Sequence, residues 1–158
     1  NSGQLSVAGN LTIIADTHTI NNDIFMQIPG TTLTLATDSA SMAIGDTATG
    51  ANRIYSTEIG RLNISSSWDY SFEATGMDVD ARTWGADVSF DAGTGAFYLN
   101  GNQDFGANNA TIAAQSDIDF AGFDLAGTGN LTFNVANSLG IGDTAIGNVN
   151  ISDAEITI

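Results

Sequence analysis

The chain has 158 residues, the length of one domain, and its 42% hydrophobic content is enough to build a core. Eighteen acidic residues against three arginines, with no lysine, give a formal charge of −15; this excludes binding to nucleic acid or anionic membranes, which need clustered cations. The absence of cysteine excludes a disulfide scaffold, a thiolate metal site and a thiol nucleophile, and no apolar run is long enough to span a bilayer.

In chain order, the first alternating runs are Asn10-Leu11-Thr12-Ile13 and Thr32-Leu33-Thr34-Leu35, with 22 residues from Leu11 to Leu33 and 21 more to Ile54. Gly, Asn and Asp separate the runs, a pattern that predicts strands joined by turns. His18 lies between the first two runs. With no cysteine and no second histidine it forms neither a zinc site nor a nucleophilic triad, and a turn position is expected. The stretch 65–86 breaks the alternation: Trp68, Tyr70, Phe72 and Trp84 stand among Glu73, Asp78, Asp80 and Asp87. Core packing in a broader coil is the expected role of these rings, and an exposed sugar-binding face is the competing one. Asp87-Val88-Ser89-Phe90, Ala110-Thr111-Ile112-Ala113, Asn130-Leu131-Thr132-Phe133 and Asn148-Val149-Asn150-Ile151 resume the pattern, with 20 residues from Thr111 to Leu131. No stretch holds a helical period for three turns. High net charge alone would favour disorder, but the mean hydropathy is slightly positive and the acids are scattered singly among apolar residues.

Two periods are nested. Ile44-Gly45-Asp46-Thr47-Ala48-Thr49-Gly50 returns as Ile141-Gly142-Asp143-Thr144-Ala145-Ile146-Gly147, 97 residues later, and Ile54, Glu58 and Ile59 return at the same offset as Ile151, Glu155 and Ile156. Ala92-Gly93-Thr94-Gly95 is echoed by Ala126-Gly127-Thr128-Gly129 ahead of another alternating run. The expected organisation is a single segment, 1–158, holding one full repeat of about 97 residues (about 61–158) and part of a preceding one (1–60). The chain starts at Asn1 without Met or a signal peptide, so a trimmed product or a slice of a longer protein is expected.

Strand units every 20 residues or so predict an all-β parallel β-helix, a solenoid with coils of about 20 residues, apolar residues inward and Thr, Ser, Asn and Asp outward. At about 4.8 Å per coil, roughly eight coils make a rod on the order of 40 Å long. A β-sandwich is the alternative, but its strands recur every 8–12 residues or so. A single proline suits a solenoid, whose interior strands need every N–H.

Thr-Leu-Thr-Leu, a Ser-containing turn, Ile-Gly-Asp-x-Ala-x-Gly and Ile-Ser-x-Ala-Glu-Ile, best seen over 33–62 and 131–158, resemble the repeats of filamentous-haemagglutinin-type bacterial exoproteins and autotransporter adhesins. The resemblance implies a right-handed parallel β-helix, an extracellular or bacterial cell-surface location, and adhesion or fibre formation. It also implies self-association or further copies of the repeat as partners, with surface glycans as a second class. Residues 63–90 depart from the pattern.

The chemical alternatives are weaker. A lyase for acidic sugars needs cations, and only Arg53, Arg61 and Arg82 are present in a field that repels such substrates. Asp78/Asp80 or Asp117/Asp119 share a strand face and supply the two carboxylates that a glycosidase needs, or hard oxygen ligands for calcium. The calcium-binding nonapeptide pattern is missing, however, so solvated surface acids are expected. Thr17/Thr19, Thr32/Thr34 and Thr47/Thr49 form Thr-x-Thr pairs of the kind used against ice, but not on every coil. Sequons at Asn10, Asn63, Asn109, Asn130 and Asn150 arise wherever a turn Asn precedes an alternating Thr or Ser. No residue is therefore assigned a catalytic, cofactor-binding or metal role, and a non-enzymatic chain is expected.

Overall fold

In the computed structural model the described residues are 3–38, 40–62, 68–136, 139–141 and 149–151; for Trp68 and the last two stretches the description covers backbone alone. The chain is an all-β solenoid of about 6 turns, with stacked coils of about 21 residues and parallel sheets. One six-stranded sheet, sheet 1, runs in the order β2 (Leu11–Ile14), β4 (Thr31–Ala36), β7 (Trp68–Glu73), β9 (Asp87–Asp91), β11 (Ala110–Ala114) and β14 (Leu131–Val135). Sheet 2 stacks β6 (Asn52–Ile54), β5 (Met42–Ile44), β8 (Met77–Thr83), β10 (Phe97–Asp104) and β12 (Ile118–Asp119). Short pairs complete the coils: β1 (Leu5–Val7) with β3 (Ile24–Met26), β13 (Leu125–Ala126) with the end of β10, and β15 (Leu139–Ile141) with β16 (Val149–Ile151).

The alternation read from the sequence sets the register. On sheet 1, Leu11, Leu33, Tyr70, Val88, Ala110 and Leu131 stack in one inward column, and Ile13, Leu35, Phe72, Phe90, Ile112 and Phe133 in the next. Side chains in the middle coils are sealed: Leu33, Phe72, Phe90 and Ile112 are each 0% exposed. The outward column between them is hydroxylic throughout, Thr12, Thr34, Ser71, Ser89, Thr111 and Thr132.

Residues 68–73 of the aromatic stretch join this ladder, and 77–83 join sheet 2. Tyr70, Phe72 and Trp84 are buried, which settles core packing for these three rings; the Trp68 side chain lies outside the described residues. Phe72 and Phe90 stack with centroids 5.8 Å apart, and Trp84 meets them edge-on at 5.8 and 5.2 Å. Trp84 Nε1 donates to the buried Gln103 Oε1, while Gln103 Nε2 donates to the carbonyls of Asp80 and Gly101, so this polar core group is satisfied.

Three expectations are corrected. Leu33 to Ile54 is not a coil step: Leu33 stacks on Tyr70, 37 residues on, and Ile54 stacks on Ile44. Thr111 pairs with Thr132 at 21 residues, not with Leu131 at 20. There are about six turns, not eight, because the chain between β5 and β7 spends residues without adding a coil to sheet 1. After β5 it doubles back through 45–51 and lays β6 alongside β5, on the side away from β8. A short helix, α1 (Ser56–Ile59), and a 3-10 turn (Gly60–Leu62) follow, burying Ile59 and Leu62. Glu58 Oε1 accepts the Ile20 N–H and Arg61 donates to the Ile20 carbonyl, so these side chains satisfy backbone groups that a neighbouring strand would otherwise pair. The pairing recurs: β15 and β16 match Leu139 to Val149 and Ile141 to Ile151, 97 residues after the Met42–Asn52 and Ile44–Ile54 matches. Residues 142–148 and 152–158, which carry the rest of the second motif, lie outside the described residues.

Candidate functional site

The first copy of the Ile-Gly-Asp motif forms the seven-residue return between the parallel strands β5 and β6, shorter than the dozen or more residues such a connection usually takes. The return is held from the next coil. Thr47 donates to Asp80 from its N–H (2.6 Å) and its hydroxyl (2.8 Å), and Thr49 donates to Asp78 Oδ2 from its N–H (2.6 Å) and its hydroxyl (2.9 Å). Asn100, one coil further, donates to Asp80 Oδ1 and to Thr47 Oγ1. Arg53 holds the other side of the loop, donating to the carbonyls of Asp46 and Ala48. Gly45 has φ +124°, and a Cβ there would overlap the Asp80 carboxylate. The loop therefore needs glycine at that point for both backbone and space.

This latch places the first predicted carboxylate pair. Asp78 and Asp80 share the outward face of β8 but accept hydrogen bonds from the loop instead of facing an open cleft. Burial opposes ionisation of Asp80, yet hydrogen bonds from Thr47, Asn100 and Asp46 outweigh it and hold the carboxyl below its ordinary value. Asp119 lies outward on β12, where its Oδ1 accepts the Ala121 N–H, and Asp117 precedes that strand. Among the described residues no group of three or more His, Asp or Glu is arranged to hold a metal ion.

The other candidates are also committed to the frame. Arg53 and Arg61 bind backbone carbonyls, and Arg82 lies over the Trp84 ring at 5.3 Å. His18 lies in the connection between β2 and β3, as a turn position would place it, and is buried there; its Nε2 donates to the Ala36 carbonyl and its N–H to Asn52 Oδ1. Burial lowers its pKa, against smaller opposing effects of Ala36 and Glu58. Asn10 Oδ1 accepts the Thr32 N–H, Asp87 Oδ1 the Asn109 N–H, and Asn109 Oδ1 the Asn130 N–H. Two of the sequon asparagines, Asn10 and Asn109, thus accept from the following coil, as Asp87 does between them in the same column; Asn63 and the Asn150 side chain lie outside the described residues. Asp69 and Asp87 face each other on neighbouring strands, and burial together with the Asp87 charge raises the Asp69 pKa.

Sequence reasoning missed the latch, although Thr47/Thr49 and Asp78/Asp80 share a spacing of two. It also missed Tyr98, 45% exposed on β10, with Asp78 and Asp119 beside it in register on either strand. Comparison with protein-family models, with curated proteins and with solved structures gave no match.

Proposed function

We propose that the chain is a shaft segment of a secreted or cell-surface repetitive protein, with a structural or adhesive role in an extracellular fibre and no catalytic one. The observation that carries this reading is where the chemically capable groups are spent. Asp78 and Asp80, Arg53, Arg61, the buried histidine and two sequon asparagines bind adjacent coils or their loops, and Arg82 lies over the Trp84 ring. The likeness to filamentous-haemagglutinin-type repeats supports the same role, and the acidic outer face keeps neighbouring shafts apart in solution. A glycan array separates an adhesive shaft from an inert one, and release of reducing ends from neutral polysaccharides would overturn the non-catalytic reading.

A second reading, carbohydrate binding, is favoured by the exposed Tyr98 ring beside the outward Asp119. Aromatic rings offer a face for sugar stacking while carboxylates accept from hydroxyls. Affinity electrophoresis in neutral polysaccharide, with Tyr98→Ala as the control, tests it: retardation lost in the variant supports binding, and no retardation of the parent chain removes it.

A further inference from the structure

The two facing sheets do not advance equally along the solenoid. Their inward rings meet across the core, Phe90 on Phe97 with centroids 5.4 Å apart. At the first junction sheet 1 is unbroken: Leu11 stacks on Leu33 and Thr12 on Thr34, and the Ala15 N–H still reaches the Ala36 carbonyl. Beyond Ala15 the two coils part, and β6 lies between them. One edge of β6 pairs with β5, Asn52 with Met42 and Ile54 with Ile44. Along its other edge runs the preceding coil, where the His18 N–H donates to Asn52 Oδ1 (3.1 Å) and the Ile20 N–H to Glu58 Oε1 (2.8 Å).

The second junction repeats this arrangement 97 residues on. Thr111 stacks on Thr132 in sheet 1, whereas β16 lies against β12 on one side and pairs with β15 on the other. Coils between the junctions stack directly on both sheets, Met77 on Phe97 and Phe97 on Ile118 in sheet 2. From the coil of β4 and β5 to that of β14 and β15, sheet 1 therefore takes four strand steps and sheet 2 takes five. At about 4.8 Å per step, with sheets about 10 Å apart, one extra step turns the axis by roughly 25°.

The space opened by the splay at the first junction is packed. Ile54, Ile59 and Leu62 are each 0% exposed. Arg61 donates to the Ile20 carbonyl, the Tyr70 hydroxyl to the Leu62 carbonyl, and Glu58 Oε2 accepts the Tyr55 N–H. A filled interior of this kind resists compression, so the coils are held apart at a fixed angle.

We propose that the inserted strand is a wedge that bends the solenoid toward sheet 1 once in every 97-residue repeat. For a shaft built of such repeats, which rests on the reading above, the axis turns at each insert. Between inserts the coils stay stacked about 4.8 Å apart along the local axis. The hydroxyl column of Thr12, Thr34, Ser71, Ser89, Thr111 and Thr132 then lies on the inner side of the curve.

The chain has no native cysteine, so pairs of nitroxide labels can compare the two faces across the first insert. Thr12→Cys with Ser89→Cys spans three steps of sheet 1, about 14 Å. Thr19→Cys with Tyr98→Cys spans the same coils on the side of sheet 2. Thr19, exposed between His18 and Ile20, stands beside Arg53, and Ala43, Asp78 and Tyr98 follow in register, which makes four steps, about 19 Å. Thr34→Cys with Thr111→Cys, three steps of sheet 1 away from the insert, sets the scatter of the comparison. Double electron–electron resonance should give a Thr19–Tyr98 label distance about 5 Å longer than either sheet 1 pair. Equal distances would overturn the wedge. In electron micrographs of native material the rods should curve or wind; straight rods would overturn the wedge and leave the shaft reading standing. Compact monomers would overturn the shaft reading, and the label distances would still decide the wedge.

Discussion

Replacing Asp80 with asparagine tests whether the motif loop is held as described. The carboxylate accepts from the Thr47 N–H, the Thr47 hydroxyl and Asn100 Nδ2 at 2.6, 2.8 and 2.9 Å. Asparagine keeps the shape, retains one acceptor oxygen and turns an amide N–H toward donors. A hydrogen bond to a charged group contributes about 1.5–3 kcal/mol when shielded, but this latch is at the surface, where water competes, so the expected loss is about 1–2 kcal/mol in total. For a domain of this size each kcal/mol moves the melting temperature by about 2–4 °C, so a drop of about 2–8 °C is expected near neutral pH. The pH dependence gives an independent sign. The folded Asp80 pKa lies below its ordinary 3.8, so its contribution is present above that value and is lost as pH falls through the folded pKa. Thermal unfolding followed by far-ultraviolet circular dichroism should therefore show a gap between parent and variant near pH 7 that closes in acid. An equal gap at both pH values, or none near neutrality, would refute the latch.

Other perturbations address the core, the outer face and the N-terminal coil. Phe90→Ala removes a 0% exposed ring packed on Phe72, Trp84 and Phe97, and should cost about 3–5 kcal/mol in denaturant unfolding; Tyr98→Ala, at an exposed ring, should cost under about 1 kcal/mol by the same measurement. Asp69→Asn relieves the like-charge pair with Asp87 and should stabilise the chain by about 0.2–1 kcal/mol near neutral pH. Because the Asp69 pKa is raised in the fold, the benefit should shrink as the parent carboxyl protonates in acid, which a melting series against pH reads out. His18 is lowered from 6.5, so the stability it contributes is full above that pH and is lost as pH falls toward its folded value. Protection factors at Ile20 and along β4, corrected for the intrinsic exchange rate, should fall as pH drops below 6.5, and His18→Gln should flatten the response.

Much of sheet 1 was legible because a strand's side-chain period of two writes its inward and outward faces directly into the sequence. Leu11 over Leu33 is such a case, and so is the burial of Tyr70, Phe72 and Trp84, although the coil from Tyr70 to Val88 is 18 residues long and not the broader one expected. The backward step after β5 was not legible. Spacing alone could not tell Ile54 on the next coil of sheet 1 from Ile54 returned to Ile44, because both put an apolar residue about one coil after Leu33. The roles of Asp78 and Asp80 were hidden for a related reason: their donors lie 29 and 33 residues earlier, on a loop whose position depends on that step. Asn10 and Asn109 looked like sequons because a residue that accepts from the next coil also precedes an outward threonine.

The most direct test of the shaft reading is electron microscopy of the native material with fibre diffraction of aligned samples. The account predicts rods whose length grows with the number of repeats and an axial reflection near 4.8 Å from coils stacked along the rod. Dispersed compact particles with no axial 4.8 Å order would contradict it.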